Sequence, residues 1–139
     1  VKLSTKSDYA ARAVLGLAQR AHTGAPVRVD TLAQAFGIPA NYLVQILLEL
    51  KSQNLVRSQR GKEGGYLLGR PAAEITLGDV VRSVHGQGFD TPAMHNAECP
   101  AELQAAWRGV QAALEAALDA VNFQQLAEAG SDKDRMYYI

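Results

Sequence analysis

Arg60-Gly-Lys-Glu-Gly-Gly-Tyr-Leu-Leu-Gly-Arg70 is the stretch on which the fold turns. A charged, glycine-rich tip stands between two short apolar runs, Leu55-Val56 before it and Tyr66-Leu67-Leu68 after it. That arrangement predicts a β-hairpin with a longer loop. Gly61, Gly64 and Gly65 give the chain access to positive φ where it must reverse. The apolar pairs can face a core while Arg57, Arg60, Lys62 and Arg70 stay in water. Four cations against one acid, Glu63, on a projecting ribbon suit a polyanion, although surface hairpins also carry Lys and Arg by chance.

Immediately upstream lie two short helical patterns. Asp30 is the expected N-cap of a helix over Thr31–Phe36, with Leu32, Ala33 and Phe36 inward, and Gly37 stops it. Pro39 starts the next helix, about Ala40 to Ser52, whose stripe is Leu43, Ile46, Leu47 and Leu50. Two short helices around a glycine turn form a helix-turn-helix, and a hairpin directly after it makes a winged helix. Such a second helix can offer Asn41, Tyr42 and Gln45 to base edges in the major groove. The wing can follow phosphates or enter the minor groove with Arg60. In the blander reading Tyr42 packs under the wing and Gln45 is merely solvated.

Further outward, residues 8–22 read as a helix capped by Ser7 or Asp8, with Ala10, Ala13, Val14, Leu17, Ala18 and Ala21 on one face. Val27-Arg-Val29 is a short extended link. After Pro71, Thr76-Leu-Gly-Asp79 has the form of a capping box that opens a helix to about His85. Gly86 to Pro92 is a loop, and residues 93–99 show no period. From about Pro100 to Val121, Leu103, Trp107, Val110, Leu114, Ala117 and Val121 form a heptad seam. So long a helix has too little domain to pack against, which points to a homodimer, the alternative being a core helix within the chain. A short last helix over Phe123–Ala129 and a polar break at 130–134 follow, before the apolar Arg135-Met-Tyr-Tyr-Ile139.

Composition sets the outer limits. At 139 residues and 47% apolar, the chain fits one mainly α domain, or one such domain with an appended helix. No apolar run reaches the length of a membrane span and no signal-peptide pattern opens the chain, so no membrane partner is expected. One cysteine, Cys99, excludes an internal disulfide framework and fits a reducing, cytoplasmic setting. The formal net charge is zero, yet residues 1–70 hold ten Lys/Arg and four acids, a net of +6, balanced by −6 over 71–139. A basic half joined to an acidic half separates a polyanion-binding part from a part with another role. Catalysis is not expected. Gly61-Lys62 lacks the spacing and the Ser/Thr of a phosphate loop, and His22, His85 and His95 have no triad or metal spacing.

The same residues resemble the IscR/NsrR/CymR-type bacterial winged-helix regulators over about residues 2–129. Lys2-Leu-Ser-Thr-Lys-Ser-Asp-Tyr-Ala10 is similar to that family's start. Ile38-Pro-Ala-Asn-Tyr-Leu-Val-Gln45 is similar to its recognition-helix start, and Ile75-Thr-Leu-Gly-Asp-Val80 to its helix after the wing. Arg60-Gly-x-x-Gly-Gly-Tyr-x-Leu68 carries its wing motif in full. The resemblance implies a homodimeric transcription factor, usually a repressor, on a near-palindromic double-stranded operator. It implies Tyr42 and Gln45 at bases, Arg60 and Gly61 in the minor groove, and Lys2, Lys6 and Arg12 at phosphates. The organisation then reads as a DNA-binding domain over 1–72, a linking helix and effector-region loop over 73–99, and a dimerisation helix and tail over 100–139.

One departure stands out. Cluster-binding members carry about three cysteines between the post-wing helix and the dimerisation helix, and residues 86–102 hold only Cys99. Two thiolates per dimer do not supply the four ligands of an iron–sulfur cluster. Asp8, His95 and Glu102 are the non-cysteine candidates, and His95 and Cys99 could converge if that stretch were helical. No cofactor is therefore the expectation. The alternatives are an iron–sulfur or thiol redox-sensing regulator acting through Cys99, and a winged-helix module that binds protein. Val44 is neutral where a cluster-switched relative has an acid.

Overall fold

A computed structural model describes residues 3–85 and 92–137, with side chains through residue 131. Lys2 and most of the Gly86–Pro92 loop fall outside the described residues. Helix α1 spans Thr5–Gln19, α2 Val29–Phe36 and α3 Ala40–Ser52. Strands β1 (Val56–Gln59) and β2 (Gly65–Leu68) form the hairpin, followed by α4 (Leu77–His85), α5 (Ala101–Asp119) and α6 (Phe123–Tyr137). Short 3₁₀ turns occupy Ala21–Thr23, Ala72–Glu74 and Pro92–His95.

Helix α1 is the hub. Ala10, Ala13, Val14 and Leu17 are fully buried or nearly so, and α2, α3, α4 and α6 all pack on it. It starts earlier than the expected residue 8. Ser4 is the N-cap, its hydroxyl accepting from the Ser7 N–H at 3.0 Å, while Ser7 lies buried inside the helix. With Ser4, Ser7 and Asp8 all competent caps within five residues, local sequence could not choose among them. A similar correction applies to α2. Arg28 holds the cap position without a side-chain bond, and Asp30 falls in the first turn, where its charge still complements the helix N-terminus.

The helix-turn-helix is formed as expected. Gly37 ends α2 in the left-handed region at φ 67°. The axes of α2 and α3 differ in direction by 113°, within the range of that motif. Leu43, Ile46, Leu47 and Leu50 are each fully buried, so the predicted stripe of α3 faces the core without exception.

The wing pairs antiparallel, with Val56 opposite Leu68 and Gln59 opposite Gly65. The link before α2 adds a third partner to it. Val27 and Tyr66 exchange two main-chain hydrogen bonds of 2.8 Å, which fix the wing to the start of α2. Gly65 makes that approach feasible, because a Cβ there would stand 2.4 Å from the Val27 carbonyl oxygen. Of the tip glycines, Gly61 takes a positive φ of 111°. Gly64 does not, and is needed because a Cβ would lie 2.3 Å from the Gln59 carbonyl oxygen.

The capping box is complete in both directions. The Asp79 N–H donates to Thr76 Oγ1 at 3.1 Å, and the Thr76 N–H donates to Asp79 Oδ2 at 3.0 Å. Burial alone would raise the Asp79 carboxyl. Its hydrogen bonding to Thr76, with the charges of Arg70 and Arg82, outweighs that and holds it below the ordinary 3.8. A depressed carboxylate pKa contributes stability above 3.8, and the contribution is lost as pH falls through the lower, folded-state value. In urea denaturation, Asp79→Asn should therefore be less stable than the parent by about 1 kcal/mol at pH 7. The gap should shrink as the medium is acidified below pH 3.8. A gap that is unchanged under acid would contradict the assignment.

Arg82 joins α4 to α5. Its guanidinium reaches Glu115 at 2.5 Å and Asp119 at 2.7 Å, and Arg70, from the end of the wing, pairs with Asp79 at 3.1 Å. Main-chain bonds close the same junction. The Leu77 N–H donates to the Val121 carbonyl at 2.9 Å, and the Phe123 N–H donates to that of Ile75 at 3.0 Å.

Helix α6 is the largest departure from expectation. Rather than stopping at Ala129 before a polar break, it runs to Tyr137. Phe123 anchors it in the core, and α1 lies alongside it. Packing on α1 supports a segment whose Gly130 costs about 1 kcal/mol relative to alanine inside a helix.

Candidate nucleic-acid interface

Side chains of α3 that do not enter the core form its outward face. Asn41, Val44, Gln45 and Leu48 are exposed, and Tyr42 is exposed at its edge. Tyr42 does not pack beneath the wing. Its ring meets that of Tyr9 on α1 edge-on, with centroids 5.7 Å apart, and Arg12 lies 5.4 Å from the centre of the Tyr9 ring. Tyr9 thus orients a residue of the candidate site. Sequence periodicity could not reveal it, because the two tyrosines are far apart in the chain.

The cations divide into two groups. Arg57, Arg60 and Lys62 are exposed on the wing, with Gly61 at its tip. Lys6 and Arg12 are engaged within the chain. Lys6 pairs with Glu49 of α3 at 2.7 Å. Arg12 pairs with Asp8 at 2.7 Å and donates to the Phe36 carbonyl at 2.9 Å, which ties α1 to the end of α2. Arg28 is not among the residues expected at the site, yet it stands beside them. It lines a shallow cleft of about 440 Å³ with Asp30, Gly61 and Lys62, between the wing tip and α2. The signal that could have found it is the Val-Arg-Val extended pattern, which pairs with the wing instead of merely linking two helices.

The larger cleft, about 1040 Å³, lies between the end of α1 and α6, beside Arg20, His22 and Glu128. It shares no residue with α3 or the wing.

Helix α5 divides its predicted seam, with Leu103, Val110 and Ala117 turned outward and Trp107 and Leu114 partly covered by the chain itself. No residue of it is buried; Leu103 is 44% exposed and Val110 48%. Trp107 and Leu114 are half-buried and Ala117 is exposed. Val121, the last seam position, lies beyond the helix end at Asp119. Cys99 is half-buried in the turn before α5, its N–H donating to the Asn96 carbonyl at 3.1 Å. His95 ends a 3₁₀ turn and Cys99 follows a separate turn at residues 97–98, so the two do not share a helical face.

A helix-turn-helix with an outward polar-and-apolar second helix and a cationic two-stranded wing defines a winged-helix DNA-binding transcription regulator. The chain belongs to the Rrf2 family, described as iron-dependent transcriptional regulators, whose family model matches residues 3–129. It is 37% identical over 132 residues to a Mycobacterium tuberculosis protein described as an HTH-type transcriptional regulator, covering 91% of this chain and 81% of that one. It is 31% identical over 141 residues to the transcriptional regulator CymR of Bacillus subtilis, across the whole of both chains. The solved structure of that CymR, the global cysteine regulator of B. subtilis, superposes with a TM-score of 0.80 at 28% identity, over 93% of this chain and 98% of the other. T. potens IscR superposes with a TM-score of 0.75 at 31% identity, over 93% and 88%.

Proposed function

We propose that two copies pair through α5 and repress transcription from a near-palindromic operator. Helix α3 enters the major groove with Asn41, Tyr42 and Gln45, and the wing enters the minor groove with Arg60 and Gly61. Arg57, Lys62 and Lys2 neutralise phosphates, and Lys6 joins them on releasing Glu49. Residues 1–72 read DNA, 73–99 link and respond, and 100–139 pair the copies. The observation that carries this reading is the exposed face of α3 beside a wing whose Arg57, Arg60 and Lys62 all face solvent.

Fluorescence anisotropy on duplexes from the chain's own promoter region tests it. Affinity should fall steeply with added salt, as counterions compete for the phosphates. Arg60→Ala should weaken binding roughly tenfold without changing the oligomeric state. Unchanged affinity would remove the minor-groove role, and no binding at low salt would remove the reading as a whole.

An iron–sulfur cluster is not part of this reading. A cluster with four thiolate ligands does not fit its donor set, since Cys99 is the sole cysteine in the sequence and a pair of chains offers two thiolates. Asp8 is held by Arg12. Among the described residues no three His, Cys, Asp or Glu side chains gather as a metal site. Protein purified anaerobically from iron-replete cells should show no visible absorption band. A band that disappears on exposure to air would overturn this conclusion.

A further inference from the structure

We propose that the operator is recognised in part through thymine methyl groups, by Val44 and Leu48. The inference rests on the DNA-binding reading above and deepens it by naming what α3 reads.

At roughly 100° per residue, Asn41, Val44, Gln45, Leu48 and Ser52 fall on one ridge of α3. Leu43, Ile46, Leu47 and Leu50 occupy the opposite side and are fully buried, so the ridge points directly away from the core. Val44 is 37% exposed and Leu48 48%. Neither belongs to the core or to the apolar residues packed against it. Val44 and Leu48 are one helical turn apart, so their exposed side chains adjoin and form a small apolar patch at the centre of a polar ridge.

The surroundings select the partner. The ridge carries no acid; the one acid of α3, Glu49, is half-buried and bound to Lys6 at 2.7 Å. Exposed Arg57, Arg60 and Lys62 stand on the wing, and Lys51 reaches across to Ser58 of β1 at 2.8 Å, so α3 and the cationic wing form one continuous surface. A polyanion with small apolar groups on its face meets both requirements. In the major groove the apolar group is the thymine C5-methyl, while adenine N6 and N7 suit an amide such as Gln45. Val44 and Leu48 are separated by about 6 Å along the helix, close to two base steps of about 3.4 Å. The half-site should therefore contain A·T pairs whose thymines lie within two steps of each other, next to an adenine read by Gln45.

The test begins with selection of an operator from a random duplex pool by the full chain. Each thymine of the selected duplex is then replaced singly by deoxyuridine, which keeps the base pairing and removes only the methyl. One or more replacements per half-site should weaken binding about fourfold, the effect of one buried carbon group. Val44→Ala or Leu48→Ala should abolish the penalty at the matching position, leaving thymine and uracil duplexes equal. The proposal is overturned if every uracil duplex binds as tightly as its parent, the result expected if these side chains serve a protein partner. It is also overturned if both variants retain the full penalty. Failure to enrich any duplex, with no salt-dependent binding, would instead sink the DNA-binding reading beneath it.

Discussion

Val110→Asp should leave the winged helix folded while reducing operator affinity by at least about a hundredfold. The protomer has little at stake at this position: Val110 is 48% exposed and no residue of α5 is buried. Substitutions at such sites commonly change stability by no more than about 0.5 kcal/mol. In the proposed dimer the same side chain sits at the middle of the seam, between Trp107 and Leu114. A carboxylate on each copy would there be desolvated against its like. Linked reading heads gain about 10² to 10⁴ in affinity over a single head without any new contact, and a split dimer forfeits that gain. Light scattering should report a monomer, circular dichroism an unchanged helical signal, and anisotropy the loss of binding. A variant that remains dimeric and binds normally would show that α5 is not the pairing surface. The ion-pair junction sharpens the expectation. Arg82 holds Glu115 and Asp119 to α4, and Arg70 ties Asp79 to the end of the wing. The direction of α5 is thereby coupled to that of the reading head, as a fixed half-site spacing requires.

What could be read from the sequence was governed by the range of the interactions involved. The stripe of α3, the glycine stop at Gly37 and the capping box at Thr76–Asp79 depend on neighbours within four residues, and each stands where spacing put it. The wing was legible because its tip needs glycine and its arms need apolar pairs. The basic half gave the class of partner even though the net charge is zero. Long-range contacts left no local trace. The Lys6–Glu49 and Tyr9–Tyr42 contacts join α1 to α3 across more than thirty residues, and they decide which cations stay free and how Tyr42 is oriented. The position of Arg28 beside the wing was hidden for the same reason, since it follows from the pairing of Val27 with Tyr66. The first helix turn was misplaced because three competent caps crowd the chain start.

The end of the chain was the least legible part, and Phe123→Ala should show why. Phe123 is the largest fully buried side chain among the described residues, although it begins what the sequence offers only as a short last helix. Its N–H donates to the Ile75 carbonyl at 3.0 Å, and Thr76 and Asn122 pair beside it, so the ring enters the core at the point where α4 begins. Leu126 and Ala127, one turn later, pack on the same core. Removing the ring should cost about 3–5 kcal/mol, from lost transfer energy and the cavity left behind. Folded domains hold a total of only about 5–15 kcal/mol, so the loss is a large share. The thermal midpoint should fall by roughly 10–20 °C. The consequence for function follows from the same geometry. Residues 120–122 connect α5 to Phe123, so a loosened anchor also loosens the direction of the pairing helix. Below its midpoint, the variant should lose operator affinity more than half-site affinity, while Phe123→Leu, which keeps most of the volume, should recover most of both. If Phe123→Ala melted with the parent, the packing of α6 on α1 would be unimportant to the fold, and the continuation of that helix past Gly130 would have no tertiary cause.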